Sequence, residues 1–296
     1  MSETLQARYG RAKVNDVELA WIEWGEHEAP DEKTIVAVHG ITANLHTWDS
    51  IAPALTGSGY RLIGYDLRGR GDSAKPASGY NPGVHAADLK SLLDYFGLQR
   101  PNLFGHSLGA VICLNFAALY PDRLRSLVLI DHGMDTAPDA RETISSTISR
   151  LSKSFDSLDD YLNLFRNSPV FARWTPQVEG YFSYDAVQRE DGRFVPKVPA
   201  SVFEEEFASL FVPDYLPSRL YDKIKVPTLI LKAGVGTLDG GKRGFILSQE
   251  GAEKAVSSIQ NARLVSVEGV NHYTIMLDPT PVVAQEILTF LQGVRA

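Results

Sequence analysis

Gly105-His106-Ser107-Leu108-Gly109 is the stretch of this chain whose residue types and spacing speak most directly of chemistry. A short strand-like run, 102–104, precedes it, and a helix-like pattern follows. In that setting G-x-S-x-G holds a serine on a sharp, strained turn with its hydroxyl standing above a sheet. The two glycines leave room for the chain to pass that closely. A plainer alternative is a serine that only caps the helix behind it. The spacing predicts a nucleophile at Ser107, and the chemistry would be acyl transfer.

A serine hydroxyl is a weak nucleophile and needs a base within hydrogen-bond reach. Of the 7 histidines, His27, His39, His46, His85 and His106 come before the serine, and His132 follows a strand-like run. His272 stands in VEGVNHYTIM, just past the last such run, 263–267. A loop there would arch back over the carboxyl edge of the sheet, so His272 is the expected base. The competing reading is a packed histidine satisfied by a backbone carbonyl. Acyl transfer also needs donors for a developing oxyanion. The Leu108 amide, next to the serine, is one. The Ile41 amide, aimed inward by a tight turn at Gly40, is the other, with His39 a structural hydrogen-bonder at that turn.

These residues need elements to hold them. Val17–Trp24 follows Asn15-Asp16, which suggests a hairpin with the residues before it. Strand-like runs follow at Thr34–Val38, Arg61–Tyr65, 102–104, Ser126–Ile130, 228–231 and 263–267. Between them, 84–96 places Leu89, Leu92, Leu93 and Phe96 at helical spacing, and another helix runs from the serine to Tyr120 and stops at Pro121. Strands alternating with helices predict an α/β fold with a mostly parallel sheet covered on both faces. The stretch 134–222 differs in texture, with aromatics, capping residues and a possible turn at Asp191-Gly192. It reads as a helical insertion, a lid, over a core made of 1–133 and 223–296.

Composition narrows the function class. With 296 residues, 44% of them hydrophobic and 22% charged, the chain can bury a large core. A net charge of -7 without a basic block argues against nucleic acid. The 1 cysteine, Cys113, excludes an internal disulfide and reads as core filling. No run reaches the ~20 apolar residues of a membrane span, and the start has no secretory signal. The expectation is a cytoplasmic monomer or homodimer that takes a small-molecule substrate, with no nucleic-acid or membrane partner.

Taken together, His39-Gly40, the turn 66–73 (DLRGRGDS), the G-H-S-L-G pentapeptide and Asn271-His272 resemble the α/β-hydrolase family over nearly the whole chain outside the insertion. The resemblance implies an eight-stranded sheet, a lid, a structural turn at 66–73 and hydrolysis through an acyl-enzyme, without cofactor. Many members carry the triad acid just past the penultimate strand, where Asp239 is the nearest candidate. A second arrangement puts it after the strand following the nucleophile helix, where Asp131 ends LVLID. Asp131 is favoured, with Asp239 the alternative and Asp135 a lesser one. His106, Trp174 and Tyr181 are expected to contact the substrate, an ester or lactone of apolar character. The family also includes C–C bond hydrolases of the meta-cleavage-product type, and the same fold could serve as a non-enzymatic ligand receptor.

Two patterns are read as decoys. Gly236, four residues, Gly241 and Lys242 mimic a phosphate-cradling loop, but Arg243 stands where a magnesium-holding hydroxyl would be. Gly234-x-Gly236 likewise lacks the third glycine of a dinucleotide fingerprint, because Asp239 stands there. His132 beside Asp131 has none of the spaced ligands of a metal site and is read as a bystander.

Overall fold

The central strands are short apolar runs buried on both faces, the composition a sheet needs when helices cover both of its sides. The computed structural model describes residues 7–137, 142, 144 and 148–294. Among the described residues the strands are β1 (Arg8–Val14), β2 (Val17–Trp24), β3 (Thr34–Val38), β4 (Arg61–Tyr65), β5 (Asn102–His106), β6 (Ser126–Ile130), β7 (Ala186–Gln188), β8 (Phe194–Pro196), β9 (Thr228–Ala233) and β10 (Ala262–Val267). Eight form one sheet in the order β1-β2-β4-β3-β5-β6-β9-β10. The hairpin β1/β2 joins antiparallel, and every pairing from β4 to β10 is parallel.

Alternation sorts side chains between two cores, and Leu55 of α1 (Ala52–Gly57) joins the second of them. Val36, Val38, Leu103 and Leu129 point to one face, with Leu89 and Leu92 of α2 (Pro82–Tyr95) and Ile112 of α3 (Leu108–Leu119). Ile35, Ala37, Phe104 and Val128 point to the other, with Ile287 and Leu291 of the C-terminal helix Pro281–Gly293. Asn81 caps α2, its side chain accepting the Val84 amide, so the helix begins at Pro82, slightly before the predicted 84–96.

The connections matter most for the site. From β3 the chain goes to β4 on one side, whereas β5 lies on the other. At such a switch point the loops after the two strands part and leave a crevice at their carboxyl ends. Gly40 follows β3 there, and Ser107 follows β5.

The segment between β6 and β9 carries α4 (Leu158–Arg166), α5 (Pro176–Asp185) and α6 (Ala200–Ser209). It also folds β7 and β8 into a small hairpin whose turn includes Asp191-Gly192, strands that the sequence announces only by that turn. Tyr161, Phe165, Val178 and Phe182 form an apolar cluster that closes on Ala43 and Leu277 of the core loops. Beneath it, buried Arg150 donates to Asp185, to the Tyr161 hydroxyl and to the Thr42 carbonyl. The insertion is thus tied to the loop after β3.

Candidate active site

Ser107 sits between β5 and α3 at φ 57°, ψ -123°, a strained conformation for a residue with a side chain. Close passage explains the glycines around it. A Cβ on Gly105 would lie 2.3 Å from the Gly109 carbonyl oxygen, and one on Gly109 would lie 1.9 Å from that of Val38. The bend delivers the serine hydroxyl to His272, whose Nε2 is 3.0 Å from Oγ. Across the ring, His272 Nδ1 is 2.8 Å from Asp131 Oδ2. A carboxylate only accepts, so the proton lies on Nδ1 and Nε2 is left to accept from Ser107.

Asp131 directly follows β6 at φ 48°, a region that short polar side chains tolerate. Its amide donates to the Leu231 carbonyl at 2.7 Å, and its Oδ1 accepts the Ala233 amide at 2.8 Å. Burial alone would favour the neutral acid. The bond to His272, the charge there and the Ala233 amide outweigh it and hold the carboxyl below its ordinary range.

The loop after β3 is held with equal care. His39 Nδ1 donates to the Gly40 carbonyl at 2.8 Å, and its Nε2 accepts the Leu67 amide at 3.1 Å. The Ala43 amide also donates to Gly40, so the Gly40–Ile41 peptide, with its N–H, has a fixed orientation. Arg70 Nε donates to the Ile41 carbonyl at 2.9 Å and pins the next peptide. Gly40 lies against the serine: a Cβ there would come within 3.1 Å of that of Ser107. Leu108 opens α3, so its amide has no carbonyl a turn behind it to bond.

Arg70 belongs to the 66–73 turn, which is structural here. Asp66 accepts the Leu45 and Asp72 amides and the Tyr184 hydroxyl. Arg70 also meets Glu206 of α6 at 3.1 Å, and His85 of α2 meets the same carboxylate oxygen at 2.6 Å, all fully buried. Removing one member of such a pair strands a buried charge. Glu206→Leu is expected to destabilise the fold by about 3–5 kcal/mol, read as a fall in urea midpoint at unchanged m-value.

Three buried histidines set the acid limit of stability. Burial pushes His39 and His106 down to about 3 and His132 to about 4. Each is neutral in the fold and binds a proton near pH 6.5 once unfolded. A depressed folded value means stability is present above pH 6.5 and drains away as pH falls towards 4. Each group removes about 1.4 kcal/mol per pH unit in that window, with Asp131 acting in the same sense at lower pH. Thermal melts from pH 8 to 4 should show a slope approaching three protons, and a flat profile would count against neutral burial.

A cavity of about 170 Å³ opens beside Ser107. Dry cavities of comparable size hold a benzene-sized group. Its walls include Ile41, Leu108, Phe171, Phe182, Leu210 and Leu277, together with Ser107, His106 and His272. A profile described as the alpha/beta hydrolase fold matches residues 33–279. The chain belongs to the α/β-hydrolase fold family.

Two relatives that match along most of their length carry hydrolase names. The 3-hydroxybutyrate-oligomer hydrolase of Cupriavidus necator is 26% identical over 277 residues, 89% of this chain and 90% of that protein. The 2-(acetamidomethylene)succinate hydrolase of Mesorhizobium japonicum is also 26% identical, over 267 residues, 89% of this chain and 90% of that protein. The crystal structure of an E-2-(acetamidomethylene)succinate hydrolase superposes with a TM-score of 0.83 at 22% identity, covering 97% of this chain and 100% of that one. At that identity the superposition speaks for the fold.

Within this α/β-hydrolase the residues singled out from sequence have separate fates. Ser107, His272 and Asp131 meet, and Ile41, Leu108, His106 and Tyr181 line the cavity around them. His106 donates from Nε2 to the His272 carbonyl at 2.8 Å, holding the loop that carries the imidazole. Trp174 is a correction: it does not line the cavity but stacks on Phe182, with its Nε1–H donated to Glu179 at 2.8 Å. Asp239 is exposed and paired with Arg243, away from the triad. Asp135 accepts the Ser218 amide and hydroxyl.

The glycine-rich loop spends its amides on itself: Gly236 donates to Gly241, Leu238 to Arg243 and Thr237 to Gly244. Those groups are engaged within the chain, so the loop offers no phosphate cradle. Among the described residues, no three His, Cys, Asp or Glu side chains gather as a metal ion would need, and no helix is long and apolar enough to cross a membrane. His132, read as a bystander, lines the cavity. Its one signal in the sequence is its place directly after Asp131.

Proposed function

We propose that this protein is a serine hydrolase that cleaves a carboxylic ester or lactone of a small, largely apolar substrate through an acyl-enzyme. The observation that carries the reading is the 3.0 Å contact between Ser107 Oγ and His272 Nε2 at the wall of an apolar cavity. His272 takes the serine proton as Oγ attacks the carbonyl carbon. The Ile41 and Leu108 amides receive the oxyanion. Asp131 keeps the imidazole in the tautomer that can accept and stabilises the imidazolium that forms.

Collapse of the tetrahedral intermediate breaks the carbon–oxygen bond, and His272 returns its proton to the departing alkoxide. A water, deprotonated by His272, then attacks the acyl carbon, releases the acid and restores the serine. The segment between β6 and β9 acts as a lid over this chemistry, since its described residues supply much of the cavity wall. Relatives named for hydrolysing hydroxybutyrate oligomers and an acetamidomethylene diacid agree with a hydrolase and differ in substrate.

Turnover of short 4-nitrophenyl esters and of γ- and δ-lactones, set against a vinylogous diketone, tests the reading. Release of acid from the oxygen esters is expected. Cleavage of the diketone alone would assign the site to carbon–carbon hydrolysis.

A further inference from the structure

We propose that His132 presents a fixed hydrogen-bond donor to the substrate, and that the acyl group therefore carries an uncharged oxygen acceptor besides the carbonyl under attack. The proposal rests on the ester hydrolase reading and deepens it.

The His132 ring lines the same cavity as Ser107 and His272. Its Nδ1 accepts the Gly133 amide at 2.7 Å. A neutral imidazole with an accepting Nδ1 bears its proton on Nε2, at the far edge of the ring. Among the described residues no acceptor bonds that nitrogen, yet it is not among the buried polar atoms left without a partner. It therefore opens onto the cavity. Burial, with the nearby His272 charge second, holds the ring neutral down to about pH 4, so the donor persists through the working range.

The two other basic side chains of the wall, apart from His272, already have partners. His106 Nε2 serves the His272 carbonyl, and Arg150 is engaged by Asp185, Tyr161 and Thr42. With the Arg150 charge answered by Asp185 and His132 neutral, a substrate carboxylate at His132 would be a buried charge without a counter-ion. A carbonyl, ether or hydroxyl oxygen completes the donor without that cost. An all-carbon chain would instead leave the N–H unpaired in an apolar wall, which is how a binding site rejects an analogue lacking its polar group.

The test uses 4-nitrophenyl hexanoate and a series in which successive methylenes are replaced by an ether oxygen, plus 4-nitrophenyl hydrogen adipate as the charged arm. For at least one oxygen position, wild-type kcat/KM should exceed that of hexanoate about tenfold. That ratio should collapse to about one in His132→Leu and survive in part in His132→Gln, whose amide can still donate. The same preference should appear in ligand-observed NMR binding to Ser107→Ala protein and vanish in the Ser107→Ala/His132→Leu protein. No favoured oxygen position, a preference that survives His132→Leu, or a His132-dependent preference for the adipate would each overturn the proposal. If no ester turns over but the binding preference holds, the hydrolase reading fails and the donor subsite stands.

Discussion

Ser107→Ala is expected to lower kcat for a 4-nitrophenyl ester by about 10⁶-fold, the loss seen when a triad serine is removed on its own. The figure is large because the covalent route disappears outright. His272 then has no hydroxyl to deprotonate, and the residual rate comes from the oxyanion donors and the cavity. Alanine keeps the Cβ that already occupies φ 57°, so the strain of the bend is unchanged and folding should be retained. Substrate binding should persist, since the cavity loses only one oxygen atom. Steady-state kinetics beside circular dichroism and ligand binding check all three points. Activity near that of the wild type would mean that the reaction runs through another group.

Asp131→Asn carries the next largest effect, a fall of about 10⁴-fold in kcat with the fold intact. Asparagine suits the test because it tolerates the φ of 48° at this position. In the native site Oδ1 accepts the Ala233 amide and Oδ2 accepts from His272 Nδ1. An asparagine would keep its carbonyl oxygen on Ala233 and turn its NH2 towards His272. The imidazole would then accept at Nδ1 and carry its proton on Nε2, where it can no longer take one from serine. Asp239→Asn should leave the rate within about twofold, because an exposed carboxylate paired with Arg243 gives at most the small contribution of a surface ion pair. The reverse ranking would move the acid to the glycine-rich loop.

The contrast between these two aspartates marks where sequence stops being informative. Ser107 is legible because the constraint on it is local. Gly105 answers the Gly109 carbonyl, which the bend itself brings within 2.3 Å of a would-be Cβ, and Gly109 answers the Val38 carbonyl of the neighbouring β3 at 1.9 Å, so the pentapeptide carries the glycines that its bend needs. His272 is legible by its place after the last strand. The acid is a long-range matter, decided by which strand end approaches the imidazole, and Asp131 and Asp239 both follow strands. Only the packing of β6 against β9, with the Asp131 amide on Leu231, fixes the first beside His272.

The insertion is harder still. Its aromatic composition was apparent, but which ring faces the cavity depends on how α5 docks on Ala43 and Leu277. Tyr181 turns inward, and Trp174 stacks outside on Phe182. The place of His132 in the cavity wall is hidden from the sequence for a similar reason. Adjacency to Asp131 says nothing of ring direction, which follows from the bond between its Nδ1 and the Gly133 amide.

Rapid acid quenching of the protein during turnover of a slowly deacylating ester, followed by peptide mass spectrometry, tests the covalent route most directly. The mass of the acyl group should appear on the peptide containing Ser107, build up to about one per chain, and be absent from the Ser107→Ala protein. Steady turnover with that peptide unmodified, or with the adduct on a different side chain, would contradict the account.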